Sequence, residues 1–203
     1  MNRKWDLARW HFRSALQIEP KSSVALNGMG AVYLNEKNYD KAVEYFKNSI
    51  ACDPFAIAPR LNLAKIFQKE HKSTDAIKLY QEIRNIVPHQ EISSIALLKI
   101  YMEQKDKDKV LTISRELYQN SRNPETLTNV GILFAFYGLT DEAKEAYQKA
   151  MSLGPTYKEA YWEAGKLYAR LKEFDQAILS WKNGLKVDPS DQRFQEQLKK
   201  FQY

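Results

Sequence analysis

Apolar and small side chains recur along this chain on a ruler of about 34 residues. Alanine marks one position, at Ala8, Ala42 and Ala76 and then at Ala143 and Ala177. An aromatic residue follows each alanine four positions on: Phe12, Phe46, Tyr80, Tyr147 and Trp181. Pro20, Pro54, Pro88, Pro155 and Pro189 keep the same register, with one residue lost between Pro88 and Pro155. A second cluster lies upstream of four of the alanines. It reads Leu26, Met29, Gly30 and Tyr33, then Leu63, Ala64 and Phe67. It returns as Leu127, Val130, Gly131 and Phe134, and as Tyr161, Ala164, Gly165 and Tyr168.

Spacings of three and four line one face of a helix. Two such faces in each period predict a helical hairpin, with a helix A followed by a helix B. The small residue of helix A (Gly30, Ala64, Gly131, Gly165) and the alanine of helix B let the two backbones approach, and the aromatics fill the space around that contact. Proline closes helix B, because it lacks a backbone donor and disfavours helix in the residue before it. Asp53 and Asp188 stand before prolines in the turns between hairpins.

This pattern resembles the tetratricopeptide repeat over nearly the whole chain. The resemblance implies an all-α fold, a right-handed α-solenoid of helix-turn-helix repeats with a C-terminal capping helix. Five repeats are expected at 23–56, 57–90, 91–123, 124–157 and 158–191. Residues 1–22 fit only a half repeat, a helix B without its partner. Residues 192–203 read as the capping helix, with Phe194, Leu198 and Phe201 on one side.

Two irregularities stand out. The third repeat carries Leu98 at the small position, Val110 for the alanine, Ser114 for the aromatic and Arg122 for the proline. That bulk predicts a change of pitch around residues 103–123. At the start, the unpaired helix B should expose Trp5, Ala8 and Phe12, with Trp10 nearby. Such an edge invites self-association, or marks a chain cut from a longer protein.

Composition narrows the function. The chain has 203 residues, is 44% hydrophobic and 28% charged, and so has the balance of a folded protein. The net charge of +6 is uneven: up to Tyr101, Lys plus Arg exceed Asp plus Glu by 15 − 10 = 5. The one cysteine, Cys52, rules out an internal disulfide and reads as a small packing residue. The charged N-terminus lacks a signal-peptide core, and no apolar run is long enough to span a bilayer. A cytoplasmic location and no membrane insertion are therefore expected. His11, His71 and His89 are scattered without metal-ligand spacing. No phosphate loop or activated nucleophile occurs, so neither a cofactor nor catalysis is expected.

In tetratricopeptide domains helix A lines a concave groove. Carried over residue by residue, this implies Asn27 and Ala31, then Leu61, Asn62, Lys65 and Lys69, then Ile92, Ile95, Lys99 and Met102. The later repeats give Glu125, Asn129, Ile132 and Phe136, then Glu159, Trp162, Glu163, Lys166 and Arg170. Asn62 and Asn129 suit a peptide backbone, since each amide both donates and accepts. Leu61, Ile95, Ile132 and Trp162 suit apolar side chains. The lysines favour acidic residues at the N-terminal half. The two-carboxylate clamp that some members use for chaperone C-termini is absent, because only its middle asparagine, Asn62, is in place.

The implied function is a protein-interaction scaffold that binds a peptide or partner protein. An alternative is a regulatory or assembly domain of a larger bacterial enzyme or membrane protein, such as a glycosyltransferase-like one. A helical repeat that binds RNA fits less well, because Glu125, Glu159 and Glu163 would repel phosphates and no base-reading pair recurs. No nucleic-acid partner is therefore expected.

Overall fold

The structure is a computed structural model that describes residues 3–201. Among these residues there are twelve helices and no strands. They are α1 (Arg3–Ile18), α2 (Ser23–Asn35), α3 (Tyr39–Cys52), α4 (Ile57–Lys69), α5 (Ser73–Ile86) and α6 (Glu91–Glu103). Then come α7 (Lys107–Asn120), α8 (Pro124–Phe136), α9 (Thr140–Leu153), α10 (Lys158–Arg170), α11 (Phe174–Val187) and α12 (Gln192–Lys200). The chain divides at Gln104 and Lys105 into two compact units. The division falls in the drifted third repeat, whose helix A, α6, closes the first unit and whose helix B, α7, opens the second. Residues 1, 2, 202 and 203, the ends of the expected half repeat and capping helix, lie outside the described residues.

Three hairpins, α2–α3, α8–α9 and α10–α11, are held by an aromatic ring laid on a glycine. In the first unit a Cβ added to Gly30 would lie 2.5 Å from the Phe46 ring. In the second, a Cβ on Gly131 would meet Tyr147 at 2.6 Å, and one on Gly165 would meet Trp181 at 2.1 Å. The ring occupies the volume that any side chain would need, so glycine here is a packing requirement. Ala42, Ala76, Ala143 and Ala177 are all fully buried at the same seam. At the drifted positions Leu98, Val110 and Ser114 are buried as well.

The turns inside the hairpins share one backbone device. Lys37, His71, Lys105, Gly138 and Lys172 all adopt positive φ, between 57° and 81°. They end a helix A in the left-handed conformation. The Asn38 N–H donates to the Tyr33 carbonyl at 2.9 Å, and Lys72 does so to Phe67, Leu139 to Phe134 and Glu173 to Tyr168. These six-to-one bonds satisfy carbonyls that the helix end would leave without partners. Between hairpins, the Asp53 carboxylate accepts from the Phe55 N–H at 2.9 Å, and the Asp188 carboxylate accepts from the Ser190 N–H at 3.1 Å.

At the N-terminal edge, α1 packs on α2. Trp5, Ala8 and Phe12 are half-buried, and Phe12 lies over Gly28. Trp10 is exposed, on a stripe with Leu7 and Ile18 that the sequence did not single out. Cys52, expected as a packing residue, is exposed. It is the last residue of α3, where the helix face turns out of the core.

At the other edge, α12 seats Phe194 and Leu198 into the second unit. Phe201 follows the helix, and its ring lies 5.3 Å from that of Phe174 and 5.5 Å from that of Trp181. Asp191 caps α12 by accepting from the Arg193 N–H at 3.1 Å.

Candidate functional site: the helix-A faces

The helices A of the first unit are α2, α4 and α6. Helix α2 carries no charged residue. Asn62 on α4 donates from its side-chain amide to the Asn27 amide oxygen on α2, at 3.3 Å. That pairing leaves the Asn62 oxygen and the Asn27 NH₂ group without a side-chain partner among the described residues. Leu61 and Ile95 are half-buried, at equivalent positions of α4 and α6. One turn further on, Lys65 and Lys99 are exposed and have no ion-pair partner among the described residues. Lys69 is engaged differently. Its ammonium group donates to the Tyr39 hydroxyl and lies 4.7 Å from the ring centroid. Ile92 and Met102 add exposed apolar surface on α6. The one helix-A arginine here, Arg60, is buried and paired with Glu82 at 3.2 Å.

The helices A of the second unit, α8 and α10, are arranged otherwise. Glu163 pairs with Lys166 at 2.8 Å on α10. Arg193 of α12 grips Glu159 through two hydrogen bonds, of 3.0 and 2.7 Å, and Asp191 through a further 2.7 Å contact. Lys158 bridges Asp188 and Asp191 at 2.6 and 2.9 Å. Hydrogen bonds from these cations hold Glu159, Asp188 and Asp191 below the ordinary carboxylate range. Trp162 is half-buried, edge-on to Phe194 at 5.6 Å, with the Arg193 guanidinium 5.1 Å from its ring. This side chain, read as a receptor for apolar groups, is thus engaged by α12.

A pocket of about 310 Å³ opens between α8, α9 and α10. It brings together the expected Ile132, Phe136, Glu163, Lys166 and Arg170 with Leu167 and Tyr147. Asn129, exposed on α8, stands one turn before Ile132 and outside its lining. Sequence reasoning assigned Tyr147 only to hairpin packing. Its place in the pocket lining left no separate trace in the sequence, because the same ring marks the hairpin seam. Among the described residues no cluster of His, Cys, Asp or Glu could hold a metal ion. No described helix is long and apolar enough to cross a membrane.

Tetratricopeptide-repeat family profiles match residues 23–55 and 137–192. The chain is built from tetratricopeptide repeats. It is 19% identical to the MamA protein, whose solved structure it matches over 86% of this chain and 96% of that one, with a TM-score of 0.67. The structure of YrrB, described as a TPR protein with an unusual peptide-binding site, matches over 93% and 97% at 14% identity, also with a TM-score of 0.67. At these identities the likeness is one of tetratricopeptide fold. Among curated proteins, the mouse protein O-mannosyl-transferase TMTC3 is 23% identical over 93% of this chain. The chain spans only 19% of that relative's length.

Proposed function

We propose that this protein is an interaction scaffold whose helix-A faces each take a peptide or a segment of a partner protein. The observation that carries the reading is the pair Lys65 and Lys99. Both ammonium groups are exposed and unneutralised, one turn beyond the half-buried Leu61 and Ile95 and beside the Asn27–Asn62 amide pair. A chain in the polyproline II conformation advances about 3.1 Å per residue with three residues per turn, and neighbouring helices lie about 10 Å apart. Acidic side chains about three residues apart would therefore reach Lys65 and Lys99 in turn. The amide pair, which joins α2 to α4, would hold the backbone where it continues past Lys65.

The test is a fluorescence-anisotropy titration of labelled peptides carrying acidic residues three apart, against wild type and the Lys65→Glu, Lys99→Glu double variant. Charge reversal should weaken binding by about a hundredfold, given roughly 1–2 kcal/mol at each site. The affinity should also fall as salt is raised. Equal binding by wild type and a folded double variant would remove this face from the account.

A second reading draws on the likeness to TMTC3. The same repeats would serve as the docking part of a longer transferase, and the reaction would belong to other segments. Joining the chain to its full gene product and mapping which segment retains partner binding distinguishes the two.

A further inference from the structure

The pocket of the second unit has a composition that names its ligand. Tyr147 is part of its lining and is 2% exposed, with its ring packed over Gly131. The phenol hydroxyl has no hydrogen-bond partner among the described residues, and burial pushes its pKa up. The hydroxyl is thus a donor open to an acceptor that enters the pocket. Ile132, Phe136 and Leu167 make the walls. Phe136 is 76% exposed, an apolar surface that folding leaves uncovered.

Charge at the rim has one sign left over. Glu163 is neutralised by Lys166. Arg170 has no carboxylate partner among the described residues; it donates one N–H to the Ala135 carbonyl at 3.2 Å, which ties the guanidinium to α8. Its remaining N–H groups and the Tyr147 hydroxyl are thus donors on one pocket with no acceptor assigned to them. Just outside, the exposed Asn129 amide can meet a peptide group.

We propose that this pocket binds a peptide segment in which a large apolar side chain adjoins a carboxylate. The apolar group enters between Ile132, Phe136 and Leu167, and the carboxylate accepts from Arg170 and Tyr147. The proposal rests on the reading that helix-A faces dock peptides, and it assigns the second unit a ligand of its own.

A blocked hexapeptide with Phe–Glu at its centre, flanked by Gly and Ser, tests it by NMR titration of the full-length protein. The expected result is saturable shifts of α8 and α10 amides. Arg170→Gln should weaken binding about tenfold and Tyr147→Phe about threefold, while a Phe–Gln peptide should bind at least tenfold more weakly than the Phe–Glu one. Tyr147→Phe keeps the ring over Gly131, so loss of fold does not confuse the result. The Lys65→Glu, Lys99→Glu variant should bind as wild type does. No saturable binding up to about 5 mM, or equal binding by the two pocket variants, overturns the proposal. Loss in the lysine variant alone would also overturn it, while leaving peptide docking on the first unit intact. Phenylacetate binding as tightly as the peptide would assign the pocket to a small carboxylate and overturn the peptide claim.

Discussion

The two units answer the same repeat with opposite electrostatics. In the first, Lys65 and Lys99 face outward without counter-charges, and α2 contributes none. In the second, Lys158, Glu159, Glu163 and Lys166 are all paired, and α12 supplies Arg193 to complete the set. A repeat fixes where the helices lie, because ring and small residue must meet. It leaves the outward helix-A positions free to vary. What such positions do therefore follows from which charges find partners inside the chain. Among the described residues, the helix-A cations left without a carboxylate partner include Lys65 and Lys99 on one face of the first unit and Arg170 beside an apolar pocket of the second.

The largest effect expected comes from breaking the packing that both units share. Trp181→Ala and Phe46→Ala each remove a buried ring from its hairpin seam, at about 3–5 kcal/mol. In a repeat array the damage stays near its origin. Hydrogen exchange should speed in α10–α12 for the first variant and in α2–α4 for the second. Equal loss throughout the chain in both variants would show that the units do not fail separately.

A smaller change asks whether the seam tolerates one methyl group. Gly165→Ala places a Cβ 2.1 Å from the Trp181 indole nitrogen, and that ring is 1% exposed with no room to retreat. Alanine favours a helix interior by about 1 kcal/mol, whereas overpacking costs about 1–3 kcal/mol. The net expectation is a loss of about 1 kcal/mol by denaturant unfolding, and a stabilised variant would refute the tight seam.

These seams were legible because three markers recur together at one period. Other features left no such trace. Lys37, His71, Lys105 and Lys172 occupy left-handed turns, yet nothing about lysine or histidine announces that conformation; only Gly138 does. The capture of Glu159 by Arg193 joins residues 34 apart in sequence and depends on how α12 settles. Leu7 and Ile18 were missed because α1 was read for the side that meets α2. Asn62 was legible as a polar groove residue, but its bond to Asn27 was not, since adjacent repeats had to be superposed first.

Acid should undo the closure of the second unit's end. Glu159, Asp188 and Asp191 have carboxyls whose affinity for protons is lowered in the folded state. Such groups stabilise the fold above their unfolded values near pH 4, and the contribution fades as pH falls through the lower folded values. Amides of α12 should thus lose protection between about pH 4 and pH 2. Arg193→Ala should cost about 1 kcal/mol at neutral pH, as expected of a partly exposed network, and should flatten that acid dependence. Unchanged exchange of α12 at pH 2 would mean that Phe194 and Leu198 hold it alone.

The smallest effect concerns the hairpin turns, where the units can be compared position by position. A non-glycine residue in the left-handed region is strained by about 1–2 kcal/mol, whereas glycine loosens the unfolded chain by about 0.4–1 kcal/mol. Lys37→Gly in the first unit and Lys172→Gly in the second should each therefore stabilise by about 0.5 kcal/mol. Gly138→Ala is the reverse experiment. Nothing lies within 4 Å of the new methyl group, so any loss reports backbone strain alone. If Gly138→Ala is neutral, the six-to-one bond from Leu139 to Phe134 imposes the turn without help from residue type, and neither lysine substitution should then raise the midpoint of urea unfolding.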